Sequence, residues 1–173
     1  MHVEPEFRPE EAPDRLRSLA FAYLDASEQL CKEMVRGAWS PSFERGQPVL
    51  WLAFHATELF LKACLSPLAP KQFENPHSLT ELLLAFSAKY PAIPFEPPFG
   101  CEPMPADPEL MQLALKGDAT LHQQLRYPTD KHGKPWGGVR GFTPPLFLRN
   151  LRALRQDFER IGALVFQARE ATT

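Results

Sequence analysis

Four side chains in the most apolar stretch of this sequence have the types and spacing to do chemistry. Trp51, His55, Glu58 and Lys62 recur every three or four residues, so any helix that carries them presents them on one side. A carboxylate one turn from a lysine and one turn from an imidazole forms an ion pair with a titratable neighbour. Two readings of this seam stand. In one, Glu58 and Lys62 pair on the strip of the helix that reaches solvent, with His55 hydrogen-bonded beside them. In the other, the seam lines a cleft in which His55, Glu58 and Lys62 bind a small ligand. A metal centre would need further ligands at helical spacing, as in bundles that supply Glu-x-x-His pairs from facing helices. None of the expected helices carries such a pair, so neither a metal nor a cofactor is expected.

A second concentration of chemistry is electrostatic. The formal net charge is −2, yet residues 1–125 hold 10 basic and 17 acidic side chains, whereas residues 126–173 hold 9 basic and 4 acidic. Only the last quarter of the chain attracts an anionic partner. There Lys131, Lys134 and Arg140 are interleaved with Trp136 and Phe142, and Arg149, Arg152 and Arg160 follow. Cations alternating with aromatic rings suit RNA, through phosphate contacts and base stacking. The same residues suit the solvated face of a helix equally well, and the acidic balance of the whole argues against strong nonspecific nucleic-acid binding.

The elements that must position these residues all read as helices. Leu16, Leu19, Ala20, Tyr23, Leu24, Ser27, Leu30, Cys31 and Met34 predict a helix from about Pro13 to Arg36, ended by Gly37 and Pro41. A turn with Pro41, Gly46 and Pro48 leads to a second helix, about Val49 to Leu65, apolar almost all the way round and therefore central. After a proline-broken loop, Ser78 and Glu81 have the spacing of a capping box, and Leu79, Leu82, Leu83 and Phe86 supply a buried face ending near Lys89. Seven prolines between Pro91 and Pro108 exclude helix and central strand there. Asp107, Pro108 and Glu109 then start a fourth helix running to about Tyr127, with a break near Gly117 and Asp118. A glycine- and lysine-rich surface loop follows. Thr143 and Pro144 open the last helix, to about Arg169, with Phe147, Leu151, Leu154, Phe158, Ile161 and Val165 along one stripe and Arg149, Arg152 and Arg160 opposite.

No segment alternates as a half-buried strand does, so an all-α, four- to five-helix up-and-down bundle is the economical architecture, with a long proline-rich connection between the third and fourth helices. Residues 1–12 form an acidic, flexible N-terminal segment and 13–170 one domain. The run Val49 to Leu65 is interrupted by His55, Glu58 and Lys62, which suits a buried helix better than a membrane span. Cys31, Cys64 and Cys101 are an odd set without CxxC spacing, and no secretory signal is legible. These point to a reducing cytoplasm, with Cys31 and Cys64 as small core residues.

The segments AFHATELFLKACL and HSLTELL, separated by a proline-broken loop, and LRYP ahead of a long final helix together resemble the HEPN domain, a small helical bundle. The matching positions are Glu58, Leu61 and Lys62, then His77, Leu79 and Leu82, then Arg126, Tyr127 and Pro128, and the resemblance spans about residues 15–165. It implies an RNA-associated or toxin–antitoxin-type module acting as a homodimer, with RNA and an antitoxin or nucleotidyltransferase as partners. Many HEPN domains are metal-independent endoribonucleases that use an arginine and a histidine a short distance apart. The run Arg126-Tyr-Pro-Thr-Asp-Lys-His132 has that spacing. By this resemblance Arg126 holds the scissile phosphate and His132 relays the proton of an attacking 2′-hydroxyl. The chain departs from the pattern where Tyr127 follows the arginine in place of a polar residue and Pro128 interrupts the helix that would present the pair. The alternative is a noncatalytic dimeric interaction or small-ligand-binding bundle whose pocket is the polar seam. Leu148 and Phe166, off the main stripe of the last helix, are the expected dimer contacts.

Overall fold

An apolar helix without a polar face must be enclosed on every side, and the fold is arranged around that requirement. In the computed structural model, which describes residues 12–40, 42–66, 77–98, 107, 109, 120–136 and 142–170, the chain forms α1 (Ala12–Val35), α2 (Phe43–Leu65), α3 (Leu79–Lys89) and α4 (Pro144–Glu170). Residues 120–124 add a further helical turn. No strand occurs among the described residues, only an isolated antiparallel bridge between Thr129 and Pro135. The architecture is an all-α bundle with α2 in contact with α1, α3 and α4. The acidic N-terminal segment through residue 11, the loop 67–76, the break expected at Gly117 and Asp118, Cys101 and Arg140 lie outside the described residues.

Contacts fix the directions. Ser27 Oγ donates to the Val49 carbonyl at 2.8 Å, Tyr23 packs on Trp51 and His55, and Phe21 meets Phe60, so α1 and α2 are antiparallel. Cys31 Sγ meets the Pro144 carbonyl, Phe21 meets Phe158 and Arg17 lies over Phe166, so α4 also runs against α1 and hence along α2. The chain returns to the middle of α2 before α3 begins beside Glu58, and α3 ends where Lys89 and Tyr90 donate to carbonyls of Cys64 and Leu65. At the centre the rings of Phe60 and Phe158 stack with centroids 4.0 Å apart, edged by Phe21 and Phe95. Phe95 comes from the proline-rich connection, which therefore contributes to the core as well as joining elements.

Helix limits follow local chemistry. Gly37, at φ 76°, terminates α1 in the left-handed region that an L side chain disfavours. Ser78 caps α3 by accepting from the Glu81 amide, and the four apolar residues expected on its inner face are buried. The stripe expected on α4 is buried throughout, whereas Leu19, expected on the inner face of α1, is exposed. Cys31 and Cys64 are buried thiols; burial and the nearby Glu28 carboxylate push the Cys31 pKa up to about 11. By length and composition the stretch Glu44–Leu65 is apolar enough to cross a bilayer, but 67% of it is buried within the fold, as expected of a core helix.

One boundary departs from expectation. α2 starts at Phe43, before Gly46 and Pro48, because Ser42 provides an N-cap whose side chain accepts from the Arg45 amide. Pro48 sits far enough into the helix to delete a backbone donor but close enough to the start for the cap to offset it. Gly46 is buried, and a Cβ there would lie 2.7 Å from the ring of Phe142. Phe142 leads into α4 and packs on Phe147, so its ring has little room to retreat. Helix propensity alone favours alanine over glycine by about 1 kcal/mol, whereas overpacking costs about 1–3 kcal/mol. Gly46→Ala is expected to lower stability by about 1 kcal/mol in urea denaturation; a gain would show that Phe142 gives way freely.

Candidate functional site

The polar seam of α2 folds into a buried ion-pair cluster. Glu58 is only 2% exposed, whereas the His55 and Lys62 side chains on either side of it, 26% and 25% exposed, reach solvent, so the expected ion pair forms with its carboxylate shielded. Its carboxylate accepts from Lys62 Nζ one turn ahead, lies 3.0 Å from His77 Nδ1 and 3.5 Å from His55 Nδ1. Because an ionised carboxylate can only accept, each imidazole presents an N–H to it. Burial pushes the Glu58 carboxyl pKa upward, but hydrogen bonds from His55 and Lys62 and the charges of Lys62 and His77 overcome this and hold it down at about 2. His55, Glu58 and Lys62 are thus brought together, with His77 added from the turn before α3.

Two aromatic paths lead away from this cluster and meet at a cleft. His55 stacks on Trp51, with ring centroids 5.3 Å apart and planes within 10°, and its other neighbour is the edge of Tyr23. His77 stacks on His122 from the helical turn 120–124, with centroids 4.8 Å apart. The chain then turns, and the Arg126 guanidinium lies 5.8 Å from the centre of the Trp51 ring and 5.4 Å from that of Tyr127. Glu44, Gln47, Pro48, Trp51, Leu125, Arg126 and Tyr127 line a cleft of about 390 Å³. Its two walls are tied where Gln47 Nε2 donates to the Gln124 carbonyl at 3.2 Å. The seam and the Arg-Tyr-Pro segment, far apart in sequence, form one continuous surface through Trp51.

His132 lies on the turn that follows. Asp130 accepts at one carboxylate oxygen from the amides of His132 and Lys134, both at 2.9 Å, and its own amide donates to the Lys134 carbonyl. Gly133 takes φ 78° to complete this tight turn. Lys131, His132 and Lys134 project from it, exposed, while Trp136 is half-buried. Among the described residues no hydrogen bond or ion pair joins the side chains of Arg126 and His132.

Much of the basic charge of α4 is matched internally. Arg155 bonds to both Asp25 and Glu28 of α1, Arg152 approaches Glu28 at 3.9 Å, and Arg160 donates to the Pro94 carbonyl and to Asp157. Burial lowers the Arg155 pKa, but the hydrogen bonds and charges of the two carboxylates outweigh that and raise it. Arg149 remains exposed. Leu148 and Phe166, expected at a dimer interface, are 7% and 6% exposed within the single chain, and Phe166 takes Arg17 of α1 over its ring. The exposed leucines of that helix are Leu146 and Leu164. Sequence patterning did not single out Glu28, Arg155 or His122, and it placed Tyr23 only on the apolar stripe of α1; Glu28 was legible only as a carboxylate one turn from Leu24, Cys31 and Lys32. Among the described residues no group of three or more His, Cys, Asp or Glu side chains could hold a metal ion. Comparison with known proteins finds no family that matches this chain, and no curated protein or solved structure that resembles it significantly.

The Glu58 cluster has a definite pH signature. A carboxyl held at about 2 against an ordinary 4.5 stabilises the folded state fully above about pH 4.5, and that contribution is lost as the pH falls towards 2. Glu58→Gln is expected to lower stability at pH 7 by about 2–3 kcal/mol and to flatten the loss of stability between pH 4.5 and 2. Urea titrations of both proteins across that range check this. Parallel curves would mean that the acid sensitivity resides elsewhere.

Proposed function

We propose that this chain is a HEPN-like, RNA-associated module of the toxin–antitoxin type, acting as a homodimer, and that it grips single-stranded RNA at the Trp51–Arg126–Tyr127 cleft. The observation that carries this reading is the state of Arg126. Its guanidinium is positioned by two aromatic rings at the mouth of a cleft, with no carboxylate partner among the described residues. A cation oriented by π-faces keeps its full hydrogen-bonding fork for an incoming phosphate. Tyr127, 52% exposed, offers a ring on which a base can stack. Lys131 and Lys134, exposed on the neighbouring turn, extend the phosphate-attracting surface.

Further support for the HEPN reading is that Glu58, Lys62 and His77, three of the positions on which the resemblance rests, are in direct contact. Arg126 and His132 are the pair that the resemblance offers for catalysis. Arg126 is held against Trp51, whereas His132 projects from a turn closed by Asp130. No hydrogen bond or ion pair joins the two side chains among the described residues, which favours binding over cleavage. Leu146 and Leu164, exposed on α4, are among the apolar side chains open to a second copy. The acidic balance of residues 1–125 fits a protein partner such as an antitoxin or nucleotidyltransferase, and the reading carries with it a cytoplasmic setting.

Labelled single-stranded RNA is expected to bind with an affinity that falls as salt rises. Arg126→Ala should weaken binding about ten-fold, and Lys131→Glu with Lys134→Glu should weaken it further and reduce the salt dependence. In the presence of chelator the wild type is expected to leave a mixed RNA pool intact. Cleavage by the wild type but not by folded His132→Ala would replace this reading with a metal-independent ribonuclease. An affinity that is indifferent to Arg126 would remove the cleft from it.

A further inference from the structure

The cleft that holds Arg126 also holds a carboxylate. Glu44, in the first turn of α2, lines it together with Gln47, Trp51 and Tyr127. Its carboxyl pKa is lowered by hydrogen bonds to its own backbone amide and to Ser42, against a slight opposing effect of burial, so it stays an ionised acceptor. Arg126 and Glu44 form no ion pair with one another among the described residues, so the guanidinium, and the carboxylate lone pairs that the Glu44 amide and Ser42 do not use, are open to a ligand. A ligand that suits all three features carries an anionic group for Arg126, a flat aromatic face for Tyr127, and hydrogen-bond donors for Glu44. A plain anion would be repelled by Glu44, and a plain aromatic cation by Arg126.

We propose that the cleft is a guanine-nucleotide site, in which the Glu44 carboxylate accepts the N1–H and the exocyclic 2-amino group of the base, Tyr127 stacks on its face and Arg126 takes the phosphate. This deepens, and rests on, the reading of the cleft as an RNA contact. The selectivity follows from donor patterns. An ionised carboxylate has two oxygens and no proton to give. Guanine alone among the RNA bases presents two adjacent donors on its pairing edge. Adenine and cytosine place an acceptor beside their one amino group, and uracil flanks its N3–H with two carbonyls, so each of these turns at least one lone pair towards Glu44. At about 390 Å³ the cleft lies at the lower end of small-molecule pockets and has room for one nucleotide. The guanine can belong to a strand or be free, since base and phosphate are common to both.

The test uses the full chain and five-nucleotide RNAs of sequence UUNUU, with N each of the four bases, in fluorescence anisotropy, together with direct calorimetric titration of GMP and AMP. The guanine oligonucleotide is expected to bind about ten-fold more tightly than the other three. Glu44→Gln, on an exposed side chain and checked for an unchanged helical spectrum, should lose that about ten-fold margin, with the other three affinities held or raised as the negative charge is removed. GMP binding alongside the oligonucleotide would extend the site to free nucleotides. Equal affinity for all four RNAs, or a guanine preference that survives Glu44→Gln, would overturn this inference while leaving the RNA reading in place. GMP bound in preference to AMP, with no oligonucleotide bound, would sustain the guanine site and overturn the RNA reading. If neither ligand class binds, both fall.

Discussion

A carboxylate removed from water costs several kcal/mol unless cations and donors are brought to it. Glu58, on the innermost helix, imposes that condition on its surroundings. Two of its partners, His55 and Lys62, come from α2 itself, and the third, His77, must come from another part of the chain. The start of α3 is therefore placed by charge as well as by the burial of Leu79 and Leu82. From the two imidazoles the constraint passes outward: His55 stacks on Trp51, which faces Arg126, and His77 stacks on His122, which lies on the turn just before Arg126. Both ends of the cleft are thus referenced to one buried carboxylate, although neither Arg126 nor Tyr127 touches it.

The same logic of buried charge explains where the basic last quarter of the chain acts. Arg155 reaches across to Asp25 and Glu28, and Arg152 stands near Glu28, so α4 is fastened to α1 by ion pairs on top of its apolar stripe. Arg160 is occupied in holding the Pro94 carbonyl of the proline-rich connection. The excess of cations in residues 126–173 is therefore partly internal cement. Among the described residues of that quarter, the cations that form no ion pair are Arg126, Lys131, Lys134 and Arg149, a smaller and more localised set than composition alone suggests.

Helical periodicity made most of this fold legible. The inner faces of α3 and α4 match their spacing residue for residue, since burial follows a fixed angular step along a helix. The errors arose where a competing interaction outweighed a local rule. Pro48 and Gly46 looked like a turn because proline and glycine weaken helices, yet the Ser42 cap and the Phe142 ring over Gly46 carry the helix through them. Leu148 and Phe166 lie off the main stripe, yet both are buried within the single chain, Phe166 beneath Arg17 of α1. The seam on α2 was visible as four residues on one side. Its burial, and its junction with Arg126, were not, because both depend on which segments return to α2, and spacing along the chain carries no such information.

The order of contacts along the chain also has a bearing on biosynthesis. Cys31 meets Pro144, Phe21 meets Phe158 and Arg17 meets Phe166, so one flank of the first helix packs on the last. A ribosome emits residues at roughly 5–20 per second, and well over a hundred of them separate these partners. For several seconds of synthesis the α1–α2 hairpin must therefore carry an uncovered apolar flank. That interval, rather than the finished bundle, is when the nascent protein is most exposed to self-association and to capture by chaperones.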